Sequence, residues 1–151
     1  MVPKGAEIMN LGFYVKSCNA EGVNGRIFSC LNEGMKKGNL SDASVFFDNI
    51  DHNTMTTDFG MFNSTEMWHF TGNLVTTSLE TTINAIRAVN KFKHLYLYNP
   101  DDIDVLRIIQ LSNKVDIITE NEHDQKYVYR ITGKKPNVLK DFTVESFAEV
   151  F

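Results

Sequence analysis

The sequence predicts an α/β fold, a doubly wound and mainly parallel sheet of about six strands with helices on both faces. Three observations carry that expectation. Short apolar runs alternate with segments of helical period along most of the chain. Such alternation requires crossover connections, which are right-handed and set the strands parallel. The first strand and first helix also meet through a polar turn holding Gly22 and Gly25, where backbone N–H groups and the positive end of the helix dipole are free to face a ligand.

Leu11-Gly12-Phe13-Tyr14-Val15 is the first strand. Val23, Ile27, Phe28, Leu31 and Met35 recur near i, i+4, i+8 and mark a helix over 23–37, with Lys36 and Lys37 in its last turn and Gly38 as its stop. Ala43-Ser44-Val45-Phe46-Phe47, between Asp42 and Asp48-Asn49, reads as a buried strand. Residues 50–65 are rich in Asp, Asn, Thr, Ser and Gly and lack a period, so they read as a long loop with at most one short turn of helix or strand. Long loops inside compact domains commonly bind something.

Met67-Trp68-His69-Phe70-Thr71 reads as a third strand ending at Gly72-Asn73. Leu79, Ile83, Ile86 and Val89 describe an amphipathic helix over 77–92, capped by Thr77 or Ser78. His94-Leu95-Tyr96-Leu97-Tyr98 is the next strand. Asn99-Pro100-Asp101-Asp102 combines a cap, a proline for the first helical position and acidic residues near the positive dipole end, so a helix is expected from there to Ser112. A fifth strand follows at 115–119, a helix at 122–132 stopped by Gly133, a last short strand at 137–139 and closing helical turns over 143–151. Residues 9–151 thus read as one Rossmann-like domain behind a flexible extension, residues 1–8.

At 151 residues and 42% hydrophobic, the chain can bury a core without disulfides or metal staples. The net charge of −4 and scattered Lys and Arg argue against a dedicated nucleic-acid surface. Cys18 and Cys30 match neither a zinc motif nor a secreted disulfide framework, so a reducing, cytoplasmic setting is expected. No stretch approaches the ~20 apolar residues of a membrane span. His52, His69, His94 and His123 have no metal-ligand spacing, and neither metal nor cofactor is expected.

Two segments carry a resemblance. The opening, Asn10-Leu11-Gly12-Phe13-Tyr14-Val15 with Gly22-Val23-Asn24-Gly25-Arg26 and a helix ending Glu33-Gly34-Met35-Lys36-Lys37-Gly38, resembles the first strand, glycine-bearing loop and first helix of two-domain nucleotide-sugar glycosyltransferases of the GT-B fold. Val115-Asp116-Ile117-Ile118-Thr119-Glu120, then Lys135-Pro136-Asn137-Val138-Leu139-Lys140-Asp141-Phe142-Thr143-Val144-Glu145-Ser146-Phe147, is similar to the end of that family's N-terminal domain, with its acidic E-x-F phrase. The resemblance implies a transferase half that supplies the acceptor surface. Nucleotide-sugar donors are held mainly by the family's second domain, whose donor-binding residues have no counterpart here.

The candidate residues follow from this reading. Asp48 past the second strand and His69 in the third are expected near one carboxyl edge of the sheet, where an inverting transfer needs a general base for the acceptor hydroxyl. Thr71-Gly72-Asn73 would join them there. Gly22, Asn24, Gly25 and Arg26 would contact an anionic or hydroxylated ligand. Glu120 and Asn121 would line an interdomain cleft, although a helix cap explains them equally. Phe59 and Phe62, exposed in the loop, would form an apolar patch for a protein partner or for self-association. The alternative is a non-catalytic module that grips a protein or small ligand with the 50–65 loop and the first loop. A receiver-like domain ranks last, since Lys16-Ser17-Cys18-Asn19 lacks the acidic cluster it would need.

Overall fold

The computed structural model describes residues 9–53, 55–88 and 92–151. The expected extension 1–8 and residues 89–91 of the helix predicted over 77–92 lie outside them. The elements are β1 (Met9–Ser17), α1 (Val23–Lys37), β2 (Leu40–Asn49), β3 (Gly60–Asn63), a 3-10 helix (Ser64–His69), β4 (Gly72–Thr76), α2 (Leu79–Arg87), β5 (Phe92–Leu97), α3 (Val105–Leu111), β6 (Asp116–Thr119), α4 (Glu122–Thr132), β7 (Asn137–Val138) and α5 (Val144–Val150). All strand pairs are parallel, in the order β3-β2-β1-β4-β5-β6-β7. The fold is the doubly wound α/β arrangement expected, with seven strands among the described residues rather than about six.

Side-chain alternation along each strand divides the interior into two layers. Leu11, Phe13 and Val15 of β1, with Val45, Val75, Leu95 and Ile118, meet Ile27, Phe28 and Leu31 of α1 and Phe147 of α5. Phe13 stands edge-on to Phe147, with ring centroids 5.2 Å apart. On the other face Tyr14, Phe46 and Leu74 pack with Met67, Phe70 and Ala85, and Tyr96 and Ile117 pack with Leu79, Ile108 and Val128 from α2, α3 and α4. Alternation puts position 12 on this second face with Tyr14, and Phe70 occupies the space where a side chain would stand: a Cβ there would meet the ring at 2.8 Å.

Several helix ends match their sequence signals. Gly38 and Gly133 take left-handed φ values of 73° and 74° after α1 and α4. Ser78 and Thr81 form a reciprocal capping box at α2. Thr143 caps α5.

Two elements differ from expectation. Residues 67–71 are not a strand: the Asn63 side chain accepts from the Thr65 N–H and starts a 3-10 helix. Met67 and Phe70 are buried while Trp68 is 61% exposed, a spacing of three that suits a 3-10 turn and not the alternation of a strand. The 50–65 loop holds the short strand that its reading left room for, β3, paired with β2 at Ser44–Phe47. The helix expected from Asn99 begins at Val105, capped by Asp104. Asn99 instead accepts the Asp101 N–H on its side chain and the Asp102 N–H on its carbonyl, at 3.0 and 2.9 Å. That makes a separate turn, and it points Asp102 back to the Tyr96 hydroxyl.

Candidate functional site

The strand order changes direction between β1 and β4. In an open parallel sheet, the chains leaving two such strands diverge and open a crevice outside their carboxyl ends. Here the turn after β1, Thr77-Ser78 after β4 and Asp48-Asn49 at the end of β2 stand at that carboxyl edge.

The turn after β1 is braced internally. The Asn24 amide donates to the carbonyls of Ser17 (2.9 Å) and Asn19 (3.0 Å). Cys18 Sγ donates to the Asp51 carbonyl at 2.9 Å and accepts the Asp51 N–H at 3.0 Å. The Asn19 amide reaches the Asp51 carboxylate at 2.8 Å, and it is the chief reason that this carboxyl lies below its ordinary range. Gly22 caps α1 at φ 58°, and a Cβ on Gly25 would come within 2.9 Å of the Ala20 carbonyl. Both glycines therefore serve the tightness of the turn, and Asn24 is already committed to it.

Arg26 and Glu120 meet each other in an ion pair. The Arg26 guanidinium also lies 4.4 Å over the Phe142 ring, tying the first turn of α1 to the carboxyl end of β6 and the segment before α5. Asn121 accepts the Asp124 N–H at 2.8 Å and caps α4, which is the structural role its sequence position allowed.

Asp48 is the candidate with the most defined setting. Its Oδ1 accepts from the Tyr14 hydroxyl and from the Ser64 hydroxyl, both at 2.6 Å. Both bonds end on the same oxygen, and among the described residues no donor is bonded to Oδ2. The Asn84 amide donates to the Tyr14 oxygen at 3.4 Å, so α2, β1, β2 and the 3-10 helix all fix one carboxylate. Burial first, and the neighbouring carboxylate second, push the Tyr14 hydroxyl up to about 12. Tyr14 therefore remains a hydrogen-bond donor throughout the neutral range.

His69 does not share this edge. It lines a hollow with Asn10 and Asp42, and these two residues pair across the amino ends of β1 and β2. Asp48 is six residues further along β2, about 20 Å at the rise of a strand. Thr71, Gly72 and Asn73 lie at that same amino end, where the Asn10 amide donates to the Thr71 carbonyl and Leu11 pairs with Asn73. The expected grouping of Asp48 with His69 and 71–73 is therefore corrected. Because a 3-10 helix over Ser64–His69, and not a strand over 67–71, precedes β4, the chain has not yet crossed the sheet at these residues.

Phe59 is likewise not exposed. It is 9% accessible and packs on Phe28 with centroids 5.6 Å apart. Phe62 is 44% exposed, in the edge strand β3.

The hydroxyl-rich start of α2 enters the sequence reading only as a helix cap and not as part of a site. Thr77 donates to the Tyr14 carbonyl at 3.1 Å. Thr76 lies 2.7 Å from the Thr82 hydroxyl and 2.9 Å from His94 Nε2. Burial lowers His94 to about 4. The run Thr76-Thr77-Ser78 with Thr81-Thr82 is the visible signal for this cluster. Among the described residues no group of three or more His, Cys, Asp or Glu is placed to hold a metal ion, and no helix is long and apolar enough to cross a membrane. Comparison of the chain with protein-family models, curated proteins and solved structures returned no match.

Proposed function

We propose that this chain is the acceptor-binding half of a nucleotide-sugar glycosyltransferase, with Asp48 as the general base that takes the proton of the acceptor hydroxyl. The observation that carries the reading is the carboxylate held through Oδ1 by Tyr14 and Ser64 with Oδ2 left over. A base must be fixed in direction and still keep a lone pair for the substrate. The resemblance of the opening and closing segments to the GT-B enzymes supports the substrate class. The nucleotide portion of the donor is assigned to a partner domain or chain, as in that family, and His69 has no part in this site.

The test is titration of the purified chain with a panel of mono- and disaccharides, read by amide chemical shifts, beside nucleotide sugars assayed for release of nucleoside diphosphate. The reading expects saccharide-dependent shifts at the carboxyl ends of β1, β2 and β4. Asp48→Asn should cut any turnover by about a hundredfold or more while preserving the fold. Turnover unchanged in Asp48→Asn, or saccharide shifts confined to another part of the sheet, would refute it.

A second reading, the non-catalytic binding module, is favoured by Ile50 and Ile103, which are 85% and 86% exposed in the segments after β2 and β5. Both segments leave the carboxyl end of the sheet. On this reading Ile50→Ser abolishes capture of a protein partner and Asp48→Asn does not. Phe59 is no test of it, since its substitution would open the core.

A further inference from the structure

We infer that the hollow at the amino end of β1 and β2 is a second binding site, independent of the carboxyl-edge reading, and that it takes a small organic cation of amine or guanidinium type. The hollow has a volume of about 330 Å³, at the small end of the range for ligand sites. Three aromatic rings form its apolar side. Phe46 lies 6.1 Å from Phe62 and 5.5 Å from Phe70, centroid to centroid, the latter edge-on. Phe62 is the partly exposed ring of the three, so one face of the group is open to an incoming molecule.

The charged groups lining this hollow are Asp42 and Glu66, with His69 beside Glu66 at 3.9 Å. Among the described residues neither Lys nor Arg lines it. Asn10 adds a further acceptor: its Oδ1 is buried and has no hydrogen-bond partner among the described residues, while its amide nitrogen is committed to the Thr71 carbonyl. Two carboxylates, an unsatisfied carbonyl oxygen and aromatic faces together favour a ligand that brings N–H donors, positive charge and an apolar body. An anion would meet two like charges, and a neutral hydrocarbon would leave the acceptors unanswered.

The position of the sole tryptophan supplies a reporter. The Trp68 ring lies against that of His69, tilted by 34° with centroids 3.4 Å apart, and His69 lines the hollow, so occupancy is expected to change the surroundings of the indole. The experiment titrates the chain with n-butylguanidinium and with n-butylurea, which has nearly the same shape without the charge, following Trp68 emission and confirming by calorimetry. The cation is expected to saturate and to bind at least about tenfold more tightly than the urea. Asp42→Asn and Glu66→Gln should weaken it roughly threefold each, and Phe62→Ala roughly fivefold. Asp141→Asn, a surface carboxylate elsewhere, should leave it unchanged. Equal affinity for the two probes, no saturation into the tens of millimolar, or full binding in the Asp42→Asn/Glu66→Gln double variant would each overturn the site. The two probes are compared on the unaltered protein, so that result stands whether or not any variant folds.

Discussion

The contact between Gly12 and Phe70 makes a demanding test of how the second face of the sheet is packed. Gly12→Ala should destabilise the protein even though alanine suits a strand better than glycine. Relieving glycine's extra backbone freedom is worth about 0.5–1 kcal/mol in favour of alanine. Against this, the new Cβ would stand 2.8 Å from Phe70 Cζ, with two further ring carbons at 3.1 and 3.2 Å. The ring is confined by its edge-on contact with Phe46, and inserting a methyl into a packed core costs about 1–3 kcal/mol. The net expectation is a loss of about 1 kcal/mol, or roughly 2–4 °C in Tm for a chain of this length.

The double-mutant cycle is sharper than the single value. Phe70→Ala alone should cost about 3–5 kcal/mol, but it removes the obstacle, so Gly12→Ala in that background should stabilise by about 0.5–1 kcal/mol. The sign of the substitution reverses, with a coupling of about 2 kcal/mol. Urea unfolding at equilibrium on the four proteins measures it. If Gly12→Ala is neutral or stabilising in the parent, or changes stability equally in both backgrounds, Phe70 does not lie against β1 as described.

Other consequences are quicker to check. His94 is lowered by burial from 6.5 to about 4, so on acidification the unfolded chain takes up a proton that the native chain refuses. Stability is then whole above pH 6.5 and falls toward pH 4, by up to about 3 kcal/mol at ~1.36 kcal/mol per pH unit; His94→Gln should flatten the upper part of that slope in urea midpoints. Burial also pushes the Cys30 thiol up to about 12, so iodoacetamide at mildly alkaline pH should leave Cys30 unlabelled in the native protein and label it in urea. Native labelling at the unfolded rate would mean that the core around Cys30 opens freely. Arg26→Ala removes both a partly exposed ion pair and a cation–π contact, for a combined loss of about 1 kcal/mol, and Arg26→Lys should recover less than half, since an ammonium does not stack as a guanidinium does.

The elements that were legible in the sequence are those whose periodicity and punctuation agree. α1 and α4 carry a helical stripe and end in glycines that take the left-handed conformation, and each occupies the residues expected. The 67–71 segment misled because Trp and Phe favour strands, whereas burial at intervals of three was visible only after the chain had turned. That one misreading displaced His69, Thr71, Gly72 and Asn73 to the wrong end of the sheet. Asp48 was legible as a carboxylate closing a strand. Its partners were not, because Tyr14 and Ser64 stand 34 and 16 positions away and nothing local in the sequence joins them. Asn99-Pro100 failed for a different reason: a capping residue and a proline start a turn as readily as a helix, and here Tyr96 claims Asp102.

The sheet narrows toward both sides. Its inner strands β1 and β2 run for 9 and 10 residues, but the outermost strands, β3 and β7, have only 4 and 2. An incoming chain that tried to extend the sheet would therefore find few unpaired backbone groups to template it. The large apolar strands that would nucleate cross-β stacking are shielded at the middle. Among the described residues, assembly across these two edges would therefore rest more on side chains than on the hydrogen-bonding of exposed strands.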